Sequence, residues 1–64
     1  MTLTTVREIN ATIRTGAHVV ALYETREKAG VVGRIYQARR HKGQLQGKVL
    51  ATGRWCRLVD VWTR

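Results

Sequence analysis

Sixty-four residues, with twelve Lys and Arg against four Asp and Glu and a net charge of +8, describe one small basic domain. A chain of this length buries about 60% of the surface it exposes when unfolded, and its apolar interior rarely nets more than ~3–5 kcal/mol. The single cysteine, Cys56, excludes an intrachain disulfide, the absence of serine excludes a serine nucleophile, and the longest apolar run, Val19 to Tyr23, is far short of the ~20 residues that cross a bilayer as a helix.

Thr2 to Thr15 read as helical, with the helix itself at about residues 5–15. Thr5 and Glu8 match a capping box, in which the hydroxyl accepts from the third backbone N–H and the carboxylate reaches back to the cap. Val6, Ile9 and Ile13 then recur on one face, while Arg7, Glu8, Asn10 and Arg14 fall largely on the other. Gly16 suits a left-handed C-cap, and Arg14 complements the helix dipole. So short a helix does not persist alone, and its apolar stripe has to dock on a sheet. A helix-turn-helix is disfavoured because the chain after Gly16 reads as strand.

The first strand, at about 17–24, carries apolar residues on both parities, the pattern of a strand covered on both faces. His18 at its start reads as an edge residue rather than a ligand. Thr25 to Gly30 is a polar hairpin connection, with the option of a helical turn across Glu24 to Lys28. If an anion binds elsewhere, Glu24 and Glu27 are expected to face away from it.

Strands at about 31–40 and 44–52 form the central hairpin around His41-Lys42-Gly43. A three-residue loop with Gly43 left-handed sets Ile35 opposite Val49 and Tyr36 opposite Lys48, leaving Gly33, Ile35, Val49 and Ala51 on one face. The other face then holds Arg34, Tyr36, Arg40, Gln46 and Lys48. A two-residue loop, Lys42-Gly43, shifts the pairing by one and moves Tyr36 into the core. The first register separates charge from apolar groups more cleanly and is preferred. Gly33 and Gly47 suit bulges or bends in a curling sheet. After a turn at Thr52-Gly53-Arg54 comes a last strand at about 55–62. There Trp62 is the expected core tryptophan, and Trp55, between Arg54 and Arg57, the more exposed one.

The expected fold is therefore α+β: a short N-terminal helix and a three- to four-stranded antiparallel meander. The sheet either packs one face on the helix or curls into a small SH3-like barrel with the helix at an open end.

The chemistry available is binding rather than catalysis. His18, His41, Cys56 and the four carboxylates show no metal-ligand spacing, so no metal and no cofactor are expected. The carboxylates are too scattered for an acid–base pair, and no phosphate loop is present. Cys56 reads as a small buried apolar residue. Charge is concentrated: up to Gly30, four bases face Glu8, Glu24 and Glu27, whereas from Val31 onward eight bases face only Asp60. One-sign charge destabilises a compact state, so a marginal chain carries it for a polyanion. The expectation is a non-enzymatic nucleic-acid-binding module contacting the phosphate backbone through Arg34, Arg39, Arg40, Lys42 and Lys48 of the hairpin and Arg54 and Arg57 beyond it. Tyr36 and Trp55 are the candidate stacking groups. DNA and RNA are both open as targets. The alternative is an inhibitor or accessory subunit that docks on an acidic protein surface. A homodimer is a further expectation, since neither a disulfide nor a metal supports so small an interior. MTLTTVREI carries no export signal, which with a lone thiol fits the cytoplasm and no membrane association.

Overall fold

The computed structural model describes residues 3–64; Met1 and Thr2, where the predicted helical segment opens, lie outside the described residues. One helix, α1 (Val6–Arg14), precedes four strands, β1 (Val19–Glu24), β2 (Val31–His41), β3 (Gln44–Val49) and β4 (Trp55–Thr63). All pair antiparallel in chain order, and β1 also pairs with β4, closing a four-stranded barrel of the small SH3-like kind. Among the described residues no helix is long and apolar enough to cross a membrane.

Local signals account for α1. Thr5 is extended, its hydroxyl accepts from the Glu8 N–H at 3.1 Å, and Gly16 adopts φ 87°. The Glu8 carboxylate accepts from the hydroxyls of Thr5 and Thr4, at 3.0 and 3.2 Å. Those hydrogen bonds hold its carboxyl below the ordinary value of 4.5, Thr5 contributing most. Ile9 is fully buried, Val6 and Ile13 pack against the core, and Leu3 is tied to β4 by its N–H donating to the Val61 carbonyl at 2.8 Å. The helix leans chiefly on β2, capping the barrel.

Asn10 belongs to this docking rather than to the solvated face on which the helical pattern places it. Its amide nitrogen donates to the Ala38 carbonyl at 3.0 Å, and its oxygen accepts the Ala38 N–H at 2.8 Å. β1 accompanies β2 only as far as Ile35, so beyond that point the edge of β2 lacks a strand. The Asn10 side chain substitutes for the missing strand.

The central hairpin combines both registers considered above. At its tip His41 pairs with Gln44, so the loop is the two residues Lys42-Gly43, with φ of 51° and 77°. Both signs match the type I′ turn that fits the twist of a hairpin. The pairing then shifts: Gln37 faces Lys48 but Ile35 faces Val49, leaving Tyr36 as an extra residue. The shift restores the expected Ile35–Val49 pair and keeps Tyr36 outside. It also turns Ala38 into the core and puts Gln37 and Arg39, instead of Ala38 and Arg40, on the outer face with Tyr36.

A second shift lies in β4. Leu22 pairs with Asp60 and Tyr23 with Leu58, so Val59 is the extra residue. Val61, Leu58 and Cys56 consequently point inward, while Trp62, Asp60, Val59, Arg57 and Trp55 point outward. Trp62 is therefore not a core residue: it is half-buried on the outer surface, beside Val20. β3 ends at Val49, and Gly53 N–H donates back to the Val49 carbonyl at 2.7 Å. Leu50 and Ala51 thus leave the sheet for an exposed turn, and Ala51 does not reach the core face. The 25–30 connection has no helical turn; Thr25 closes it through hydrogen bonds with Lys28.

The core comprises Leu3, Ile9, Val19, Ala21, Tyr23, Ile35, Ala38, Val49, Leu58 and Val61. Gly33 and Gly47 serve it by close approach, and the register shifts fall elsewhere. A Cβ on Gly47 would lie 2.8 Å from Leu58 Cδ2, and one on Gly33 3.1 Å from the Tyr23 ring.

Candidate nucleic-acid interface

The outward side chains of β2, β3 and β4 form one face centred on β3. Register sets Gln37, Lys48 and Trp55 in one row, and Arg39, Gln46 and Arg57 in the next, with Glu24 of β1 beyond Arg57. The Arg39 guanidinium lies over the Trp55 ring, 4.1 Å from its centroid, and its Nε donates to Gln46 Oε1 at 3.0 Å. Lys48 Nζ stands 5.8 Å from the centroids of both Trp55 and Tyr36. Two aromatic rings and two cations thus make one continuous cluster. Stacking of this kind orients a guanidinium without neutralising it, which leaves its charge available to an anion.

Arg57, also on this face, is engaged by Glu24 at 3.7 Å, the one ion pair among the described residues. Glu24 therefore does not face away from the cationic surface, as the sequence leads one to expect. Both side chains are well exposed, at 59% and 43%, so the pair is weak and open to competition from a phosphate. Arg54 precedes Trp55 and, with Glu27, Trp55 and Arg57, lines an open groove between the 25–30 connection and the 52–54 turn.

The remaining candidates are spread further. Arg40 and Lys42 sit at the hairpin tip, exposed, with Arg40 Nη1 reaching the Gly43 carbonyl at 3.5 Å. Past the shift at Tyr36, Arg40 falls on the opposite parity from Arg39, so it does not join the stacked cluster. Arg34 stands on the adjoining face centred on β1, flanked by Val20, and its carbonyl accepts from Leu50. The structure thus gathers Tyr36, Arg39, Lys48, Trp55 and Arg57, keeps Arg54 at their margin, and places Arg34, Arg40 and Lys42 apart from them.

Gln46, which the sequence places on the polar face of the hairpin but does not single out as a candidate, is the residue that holds the Arg39 side chain. Arg39 and Gln46 are equidistant from Lys42-Gly43, so a two-residue turn would have revealed them as partners. Cys56 is half-buried against the core, and no group of three or more metal-ligating side chains converges among the described residues. Compared with protein-family models, curated proteins and solved structures, the chain matches none.

Proposed function

We propose that this protein is a non-enzymatic nucleic-acid-binding module that seats a phosphate backbone on its β3-centred face. The observation that carries the reading is the Arg39–Trp55 stack with Lys48 set between Trp55 and Tyr36. Arg39, Lys48, Arg54 and Arg57 supply charge for phosphates, and the hairpin tip with Arg40 and Lys42 extends the reach of that charge. Tyr36, 39% exposed, offers a free ring for a base or sugar. Contacts of this type confer affinity with little sequence choice.

Anisotropy titrations with labelled duplex DNA, single-stranded DNA and RNA at two salt concentrations test the reading. Neutralising about five phosphates gives a log–log salt slope of roughly −4 to −5 on duplex. Failure to bind all three at low salt overturns it and leaves the cationic face to an acidic protein surface.

A further inference from the structure

The barrel has a second outer face, centred on β1, whose chemistry differs from the first. Register places Arg34, Val20 and Trp62 side by side across β2, β1 and β4, with Val32, Leu22 and Asp60 in the next row. Leu50 lies beyond Arg34, to whose carbonyl its N–H donates at 2.9 Å, and Val59 stands next to Asp60 as the extra residue of β4. Val32, Leu50 and Val59 are 56%, 52% and 56% exposed. Three of the four exposed large apolar side chains in the described chain therefore border this one face, while Tyr36, the fourth, belongs to the basic cluster. Val20 is only 5% exposed and Leu22 is half-buried, so the apolar surface the face offers is that of Val32, Leu50 and Val59 around them. Large apolar side chains gathered on one side of a small domain mark an interface rather than a solvated wall.

We propose that the β1-centred face binds a second copy of the chain in a two-fold symmetric dimer, Arg34 of each copy meeting Asp60 of the other. An isologous contact has to be self-complementary. Arg34 and Asp60 occupy opposite corners of the two rows, with Val20 and Leu22 in the middle positions. A two-fold axis lying in the face, perpendicular to the diagonal joining them, sets each corner over its opposite in the other copy. Both charge pairs then form together. Trp62 and Val32, on the other diagonal, fall near the axis and approach their own counterparts.

Charge selects this occupant over a polyanion or an acidic protein. Asp60 is the only acid after Gly30, and it stands here without an ion-pair partner among the described residues, accepting only from its neighbour's N–H, that of Val61, at 3.0 Å. A polyanion or an acidic partner would engage Arg34 but set like charge against Asp60, whereas a second copy supplies an opposite partner to both. A standard interface takes about 800 Å² from each partner. That is under a fifth of the chain's 4509 Å², so the contact has to cover both rows, Leu50, Val59 and the residues around them. β1 and β3 are not neighbours in the closed barrel, so the dimer leaves both basic faces free.

Charge reversal tests the pairing by sedimentation velocity, at chain concentrations up to about 0.5 mM, enough to populate even a ~100 µM dimer. The wild-type chain is expected to dimerise. Arg34→Asp and Asp60→Arg, each alone, bring like charges together and weaken association at least about tenfold. An equimolar mixture of the two variants restores it, because both cross pairs are again opposite in sign. A monomeric wild-type chain, unimpaired single variants, or a mixture that stays monomeric overturns the proposal, the first leaving the face to a different protein. Circular dichroism checks that each variant is folded. Should either unfold, Val32→Lys on the same face decides: loss of the dimer supports the assignment, and an unchanged dimer overturns it.

Discussion

Arg39 lies over the ring of Trp55 at 4.1 Å although sixteen positions separate them in the chain, and Gln46 on the intervening strand holds the guanidinium in place. The two partners are expected to contribute to nucleic-acid binding in separable ways. Arg39→Ala removes one phosphate contact and makes the salt slope shallower by about one unit. Trp55→Ala removes a stacking surface worth ~1–3 kcal/mol per base, about 5- to 150-fold in affinity, and leaves the slope nearly unchanged. Equal losses of slope in both variants would show that Trp55 acts only by positioning Arg39.

Asn10 is the clearest stability determinant outside the apolar core. Asn10→Ala leaves the N–H and carbonyl of Ala38, a residue only 3% exposed, without their partners. Stranding buried polar groups costs about 1–3 kcal/mol. Urea unfolding measures the loss, and hydrogen exchange at the Ala38 amide locates it. Asn10→Asp keeps the acceptor for the Ala38 N–H but sets a carboxylate against its carbonyl, so it is expected to rescue less than half.

Gly47 reports on the packing of the barrel interior. A methyl group there would lie 2.8 and 3.0 Å from the two Cδ atoms of Leu58 and 3.2 Å from Ile35 Cδ1. Leu58 and Ile35 are both buried, so neither swings clear without displacing other core residues. Gly47→Ala is expected to destabilise by about 1–3 kcal/mol through overpacking. Pairing it with Leu58→Ala provides the space, and in a double-mutant cycle the combined loss should fall short of the sum of the single losses.

What could be read from the chain was local. Thr5, Glu8 and Gly16 set the ends of α1 within a turn of themselves, and each strand carried its own β-branched and apolar residues. The pairing of Ile35 with Val49 was legible because both residues are apolar and flank one turn. The shifts at Tyr36 and Val59 were not, since an extra outward residue leaves no mark on an alternating pattern until the partner strand is known. Those two residues decide the surface. They bring Arg39 beside Trp55, send Arg40 away, and place Trp62 outside the barrel. Asn10 was hidden for a related reason: a polar residue on a polar helix face gives no hint of a strand edge twenty-eight residues on.

Lys42 occupies the left-handed region, φ 51°, at the first position of the hairpin turn. Asn tolerates that conformation better than a long side chain does, and Asn-Gly is the preferred pair for this turn. Lys42→Asn is therefore expected to stabilise the fold by about 0.5–1 kcal/mol in thermal unfolding. If the tip touches phosphate, the same variant flattens the salt slope of binding by about one unit, so it becomes more stable and binds less tightly. Lys42→Gly should reproduce both effects, because glycine likewise lacks the charge and accepts positive φ.

Acid should loosen α1 at its N-terminus before the barrel itself responds. The carboxyl of Glu8 is held below its ordinary value of 4.5, first by the Thr5 hydroxyl and then by that of Thr4. A depressed folded-state value means that the unfolded chain takes up the proton more readily. The stabilisation from the Glu8 carboxylate is thus fully present above the ordinary value and is lost as pH falls through the lower, folded one. Glu8→Gln, which keeps the shape of the side chain but loses its charge, is expected to unfold more easily than wild type near neutrality and to match it in strong acid. Thr5→Ala removes both the cap and the main cause of the depressed value, and costs about 1 kcal/mol at neutral pH. Unfolding curves for the three chains at several pH values, read with helix-selective circular dichroism, check this. A Glu8→Gln difference that does not change with pH would show that the hydroxyl–carboxylate hydrogen bonds do not form in solution.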